Sequence, residues 1–265
     1  MRLQTVPARA GLHWIKGGMR AFTRQPLAMV GLFLLFMTLV SVLSVVPLLG
    51  HGLALALVPA ATQGLVKASR MATDGQFPMP TVLATAFTGG AHRTKAMLQL
   101  GGLYVAGMAA MLLISALADG GAFAGAYIGL GEGMSMELLE RDEVQAATWL
   151  ALLAYVPFSA LFWHAPMLVG DHGVQPVRSL FFSLLACWQN KGAFMLYLLG
   201  WLAVFLGGAL TVGMVAGALG GSQLGHTLVL PMALVFAAMF FASIRCSFDD
   251  CFLTEPGIPL SEPNR

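Results

Sequence analysis

The chain of 265 residues is 58% hydrophobic and only 10% charged, with a net charge of +2. Soluble domains carry about 25% charged residues, so a water-surrounded fold is excluded and a lipid-embedded one is expected. The small net charge gives no bulk attraction for nucleic acid. Cys187, Cys246 and Cys251 have neither metal-ligand spacing nor a disulfide framework and read as small packing residues.

In chain order, residues 1–26 form a basic segment with Arg2, Arg9, Lys16, Arg20 and Arg24. Its second half, "LHWIKGGMRAFTRQPLAMVG", is amphipathic and leads into a first apolar span over 27–47. "VVPLLGHG", punctuated by Pro47 and Gly50, turns the chain into a second span, 51–68, which contains Pro59 and ends at Lys67, Arg70 and Asp74–Gly75. The stretch "PTVLATAFTGGAHRTKAMLQLGG", with Arg93 and Lys95, precedes a third span, 96–118. An acidic connection follows, with Asp119, Glu132, Glu137, Glu140, Arg141, Asp142 and Glu143. The fourth span, 147–169, holds Pro157 and His164 and ends at Asp171–His172–Gly173. In "PVRSLFFSLLACWQNKGAF", with Arg178 and Lys191, Val177, Leu180, Phe181, Leu184, Leu185 and Trp188 recur at helical spacing. The fifth span covers 193–219. The sixth, 226–247, contains Pro231 and is followed by Asp249–Asp250. Each run is close to the 20 residues that cross a bilayer. The expected fold is an all-α polytopic membrane bundle of six transmembrane helices. It forms one integral domain over 1–265, with the bundle at 27–247 and a tail at 248–265.

Basic residues orient these spans. Every Lys and Arg except Arg141 falls before the first span, between the second and third, between the fourth and fifth, or after the sixth, where Arg245 and Arg265 lie. The positive-inside rule then puts both termini in the cytoplasm. The segment before the first span is too long for the n-region of a cleavable signal, so that span is expected to stay attached. The cysteines fall on or near the reducing side.

A unit recurs three times: an amphipathic stretch suited to the membrane interface, an outward span, an outer turn, and an inward span bearing Pro59, Pro157 or Pro231. Three interfacial helices and a pseudo-threefold repeat are therefore expected. Proline frees a backbone carbonyl one turn earlier. The three prolines either frame a cavity with three kinks or, more simply, help hairpins pack. Gly121, Gly125, Gly129 and Gly133 stand four apart, as do Gly213, Gly217, Gly221 and Gly225. On a continuous helix each set would lie on one face, where backbones approach closely. Internal packing is the first reading of these ladders and homodimerisation the second. "GLGEG" lacks the strand before it and the Gly-Lys-Ser/Thr after it that a phosphate loop needs.

Ionisable groups at membrane depth are scarce, which argues against a proton pump or ion channel. His164, Asp171 and His172 are placed to form a polar mouth. Turning the chain at the interface is a simpler role for them than binding a metal. No hydrolase, zinc-protease or nucleotide motif is found, and no catalytic residue, metal or other cofactor is expected. Arg20, Arg24, Arg93, Lys95, Arg178 and Lys191 are placed to contact lipid phosphates.

The alternation of amphipathic stretches and spans, with Pro59 then Asp74–Gly75 and the segment from Ser179 to Asn190, resembles proteobacterial six-span inner-membrane proteins. These are related to the membrane domain of glycerophosphoryl diester phosphodiesterases. The likeness covers most of the chain and implies a fold and a location in the bacterial inner membrane, while no catalytic residue carries over. "SIRCSFDDCF", with Arg245 and Asp249, departs from the tyrosine-bearing end of that group. The leading expectation is a non-enzymatic protein that binds or organises membrane lipids or partner membrane proteins, with a homo-oligomer as one such assembly and no nucleic acid. The alternatives are a transporter or flippase-like carrier of an amphiphile and, third, a lipid-modifying enzyme.

Overall fold

The computed structural model describes residues 2–46, 49–129, 133–218 and 222–253. The expectations for Pro47, Glu132, Gly221, Arg265 and the tail from 254 lie outside the described residues. Strand β1 (Arg2–Leu3) precedes helix α1 (Ala10–Arg24), then α2 (Pro26–Ser44) and α3 (Leu49–Thr73). A 3-10 turn (Pro80–Phe87) leads to α4 (Ala91–Asp119). Short helices α5 (Ala122–Ile128) and α6 (Met136–Leu139) link it to α7 (Asp142–Phe162) and α8 (Ala165–Gly170). Then come α9 (Pro176–Gln189), α10 (Lys191–Ala218), α11 (Ser222–Cys251) and β2 (Phe252–Leu253).

Six helical spans among the described residues are long and apolar enough to cross a bilayer: α2, α3, α4, α7 with α8, α10 and α11. Several exceed the apolar runs that announced them, because the hydrogen-bonded ladder continues into polar first and last turns. Thus α4 starts at Ala91 and takes Arg93 and Lys95 into its first turns. The hairpin pairs α2–α3, α4–α7 and α10–α11 pack side by side, and α3 also meets α1, α4, α8 and α11. Every residue of α3 from Pro59 to Val66 is buried, so α3 is the central helix. By contrast α10 turns Leu198, Leu199, Leu202, Phe205 and Leu206 outward. That exposure costs nothing in lipid, where an apolar side chain is already at home.

The three expected interfacial segments take three different forms. Helix α1 buries its apolar face, Trp14, Ile15 and Phe22, against α11, α10 and α3 rather than in lipid. Helix α9 does the reverse. Ser179, Ser183 and Ala186 face inward, while Val177, Phe181 and Trp188 are exposed. The middle segment is a 3-10 turn and not an α-helix. Its threonines favour three-residue spacing: Thr85 Oγ1 donates to the Val82 carbonyl and Thr88 Oγ1 to the Thr85 carbonyl. The turn rests on Gly64, whose absent Cβ would lie 2.8 Å from Leu83 Cα.

The polar steps after the second, fourth and sixth spans also diverge. Gly75 and Gly173 take left-handed backbone with φ of 75° and 66° and stop α3 and α8. After α8 the N–H of Val174 returns to the Leu168 carbonyl and that of Gly173 to the Val169 carbonyl, a Schellman closure. Asp249 and Asp250 instead remain helical, and α11 runs straight into β2. That strand pairs antiparallel with β1, Arg2 opposite Leu253 and Leu3 opposite Phe252, which brings both ends of the described chain together. Buried Asn190 fastens the join: its Oδ1 accepts from the Val6 N–H at 2.7 Å and its Nδ2 donates to the Gln4 carbonyl at 3.1 Å.

Candidate functional site

The ends of the second, fourth and sixth spans converge on one polar network. Arg70, in the last turns of α3, reaches Asp171 beyond α8 at 3.3 Å and Asp249 of α11 at 3.0 Å. Gln63 Nε2 donates to the other Asp171 oxygen at 2.8 Å. Arg245 donates to Asp249 at 3.0 Å and to Thr73 Oγ1 at 2.8 Å, and Arg24 donates to the Thr73 carbonyl. The chain of contacts therefore runs from α1 through α3 to α11 and the α8 terminus. Sequence reading placed Arg70 at this end but gave no sign of its partners, which are more than 100 positions away in the chain.

His164, Asp171 and His172 do not form one cluster. Asp171 belongs to the network above. His172 stacks on Phe248 with centroids 5.7 Å apart, and His164 lies 5.8 Å from the same ring. No group of three His, Cys, Asp or Glu suited to a metal exists among the described residues. His164 is fully buried, and its Nε2 is 3.2 Å from Ser247 Oγ. Ser247 already donates to the Ile244 carbonyl and accepts from Trp163 Nε1–H. The contact is thus satisfied by an Nε2–H donor on His164.

His164 marks the one interruption of the fourth span, and Pro157 is not its cause. Helix α7 runs unbroken through Pro157, as α3 does through Pro59 and α11 through Pro231. The break falls at Trp163–His164, just before Pro166 in the first turn of α8. Pro166 has no N–H for the Phe162 carbonyl and its ring disfavours a continuous helix there. Ser183 of α9 enters the gap: it accepts from the His164 N–H at 2.9 Å and donates to the Ala160 carbonyl at 2.7 Å. An inserted hydroxyl restores the satisfaction that lipid could not supply. Pro166 was legible as a helix-breaking signal, whereas Ser183 was not.

The glycine ladders do not pack as the four-residue spacing suggested. Gly121 and Gly129 have φ of 97° and 74° and bracket the seven-residue α5, so Gly121, Gly125 and Gly129 share no continuous helix face. Asp119 caps that helix, accepting from the N–H groups of Gly121 and Phe123. Gly213 and Gly217 have nothing within 4 Å of where a Cβ would stand. The close approaches are elsewhere. A Cβ on Gly11 would lie 2.1 Å from the Ala193 carbonyl oxygen, on Gly18 2.3 Å from Ser243 Cβ, and on Gly101 2.3 Å from the Ala56 carbonyl oxygen.

Arg20, Arg24, Arg93, Lys95, Arg178 and Lys191 are all exposed. They belong to the end of the bundle that holds the Arg70 network and the paired strands. Lys191 Nζ sits 5.3 Å from the exposed Trp188 ring, a cation beside an aromatic amphiphile of the kind found at lipid headgroups. Between the first turns of α4 and the segment entering α9 lies an open groove of about 650 Å³, with Lys95 and His92 at its polar end.

Six apolar spans, a lipid-facing α10 and a basic end studded with exposed apolar side chains define a polytopic helical membrane protein. Over 262 residues the chain is 38% identical to a probable inner membrane protein of Burkholderia thailandensis, covering 98% of this chain and 97% of the relative. The chain belongs to this family of multi-pass bacterial inner-membrane proteins. No family model matches it, and no solved structure does. The comparisons support membership of an inner-membrane family and not the expected tie to the phosphodiesterase membrane domain.

Proposed function

We propose that the protein is a non-enzymatic organiser of anionic lipid at the cytoplasmic face of the inner membrane, with both termini in the cytoplasm. One observation carries the reading: the six cations are exposed at the same end as the outward-facing Val177, Phe181 and Trp188 of α9. A side-by-side array of cations and apolar groups matches phosphates above acyl chains, at about 1 kcal/mol per Lys or Arg. The sorting of basic residues supports the orientation. Kinship with the phosphodiesterase membrane domain rests on the alternating plan alone, and a single integral domain on the continuity of packing. The carrier reading would need a groove between the proline-bearing α3, α7 and α11, whereas the open groove described above lies between α4 and the entry to α9.

Two experiments test this. Reporter fusions within 119–146 should be active only in the periplasm, and cytosolic accessibility there would reverse the orientation. Replacing Arg20, Arg24, Arg93 and Lys95 together by Gln should deplete anionic lipid from the purified protein. Unchanged retention would remove the proposal.

A further inference from the structure

The groove beside Lys95 has a graded chemistry along one helix. His92, Lys95, Gln99 and Gly102 recur at spacings of three and four on α4, so they share one face. From His92 to Leu103 this face rises about 16 Å along the helix axis, from a cation in the first turns to apolar chain in the span. The opposite wall is the segment from Gly173 to Val177, where the first turn of α9 begins. Helix α9 has Pro176 in that first turn and no side-chain cap from Gln175. Its first N–H groups are therefore available at the polar end, where a helix start favours anions. Among the described residues, no carboxylate lines the groove and Lys95 forms no ion pair. Gly102 leaves the deep end open: nothing stands within 4 Å of its missing Cβ.

Resting on the lipid-organising reading above, we propose that this groove between α4 and the entry to α9 is a discrete site for one anionic phospholipid. Its phosphate sits against Lys95 and the start of α9, and an acyl chain lies along Gly102 and Leu103. A soluble anion would leave the apolar half of the groove unused. A zwitterionic headgroup would bring its own cation against Lys95 with no carboxylate to receive it. Both considerations select a headgroup whose net charge is negative.

The test is native mass spectrometry of the full chain extracted from nanodiscs containing phosphatidylglycerol and phosphatidylcholine. The wild type should retain one phosphatidylglycerol in preference to phosphatidylcholine, and millimolar inorganic phosphate should not displace it. Lys95→Gln should weaken retention roughly fivefold and Lys95→Glu roughly thirtyfold, as one and two units of lost interfacial charge attraction. Gly102→Leu leaves the charge intact and fills the deep end. It should also release the lipid, since a leucine side chain leans back along the helix toward Gln99. Lys16→Gln, on α1 and exposed, should leave this lipid in place. If Lys95→Glu and Gly102→Leu both retain it as the wild type does, or if inorganic phosphate displaces it, the site is refuted. If in addition the fourfold cation variant loses its lipid, the broader reading survives that refutation. If the wild type retains no anionic lipid, both fall.

Discussion

Glycine at position 18 is the sharpest test of how this bundle is held together. Helix α1 crosses α11 with no Cβ between them at this point. A Cβ on Gly18 would lie 2.3 Å from Ser243 Cβ and 2.8 Å from the Ser243 backbone nitrogen. Ordinary contact begins near 3.4 Å, so in Gly18→Ala the helices must part by about 1 Å, enough to forfeit a quarter to a half of each dispersion contact between them. Two hydrogen bonds span the same region. Trp14 Nε1–H donates to Asp250 at 2.7 Å, and Tyr197 meets Ser243 at 2.6 Å. Overpacking of this kind costs about 1–3 kcal/mol, and alanine returns up to about 1 kcal/mol in helix propensity. With the Trp14–Asp250 bond stretched, the net loss is about 2 kcal/mol, a fall of about 4–8 °C in Tm for a chain of this size. Gly213→Ala is the internal control. It meets open space, so it should lower Tm not at all. Melting both variants in the same detergent, with fluorescence-detected size exclusion to confirm folding, gives the comparison. Equal destabilisation by the two, or none by Gly18→Ala, would refute the packing argument.

Ser183→Ala should leave the Ala160 carbonyl and the His164 N–H without their shared hydroxyl, lowering stability by about 1–3 kcal/mol. Detergent unfolding should show this loss, while Ser183→Thr, which keeps the hydroxyl, should recover most of it. Arg70→Gln and Asp171→Asn, measured singly and together, should couple by about 0.5–1 kcal/mol. The pair is partly exposed, at 34% and 24% for the two side chains, so solvent screening limits the value. A coupling near zero would show that the contact does no thermodynamic work. His172 lies beyond the fourth span and its pKa is lowered from 6.5, chiefly by burial and against the opposing pull of Asp171. The unfolded chain therefore takes up this proton first on acidification. Stability should be full above about pH 6.5 and decline below it, and His172→Gln should flatten that acid limb. An unchanged limb would assign it to other groups.

Much of this architecture was written in the linear pattern. Span number follows from apolar length, because lipid demands an uninterrupted ladder of about 20 residues. The gathering of basic residues at one end followed from counting. The candidate groove was half visible. Lys95 was named, but its pairing with the entry to α9 joins residues more than 70 positions apart, which no local period encodes.

Where the linear reading failed, the cause was the absence of a partner. Gly213 and Gly217 have the spacing of a packing face, yet nothing stands within 4 Å of where either Cβ would be. The isolated Gly11 and Gly18 are the ones pressed against neighbouring backbone or Ser243. Prolines 59, 157 and 231 looked like three equivalent kinks. The fourth span instead breaks at Trp163–His164, before Pro166, and Ser183 lies close enough to mend it. Composition and periodicity thus determined that the chain is a six-span membrane bundle with a basic end, because solvation by lipid or water acts on each segment alone. Tertiary structure decided which small residues touch, which carboxylates meet Arg70 and which face of α1 or α9 turns inward. Those outcomes depend on the shape and polarity of a second segment.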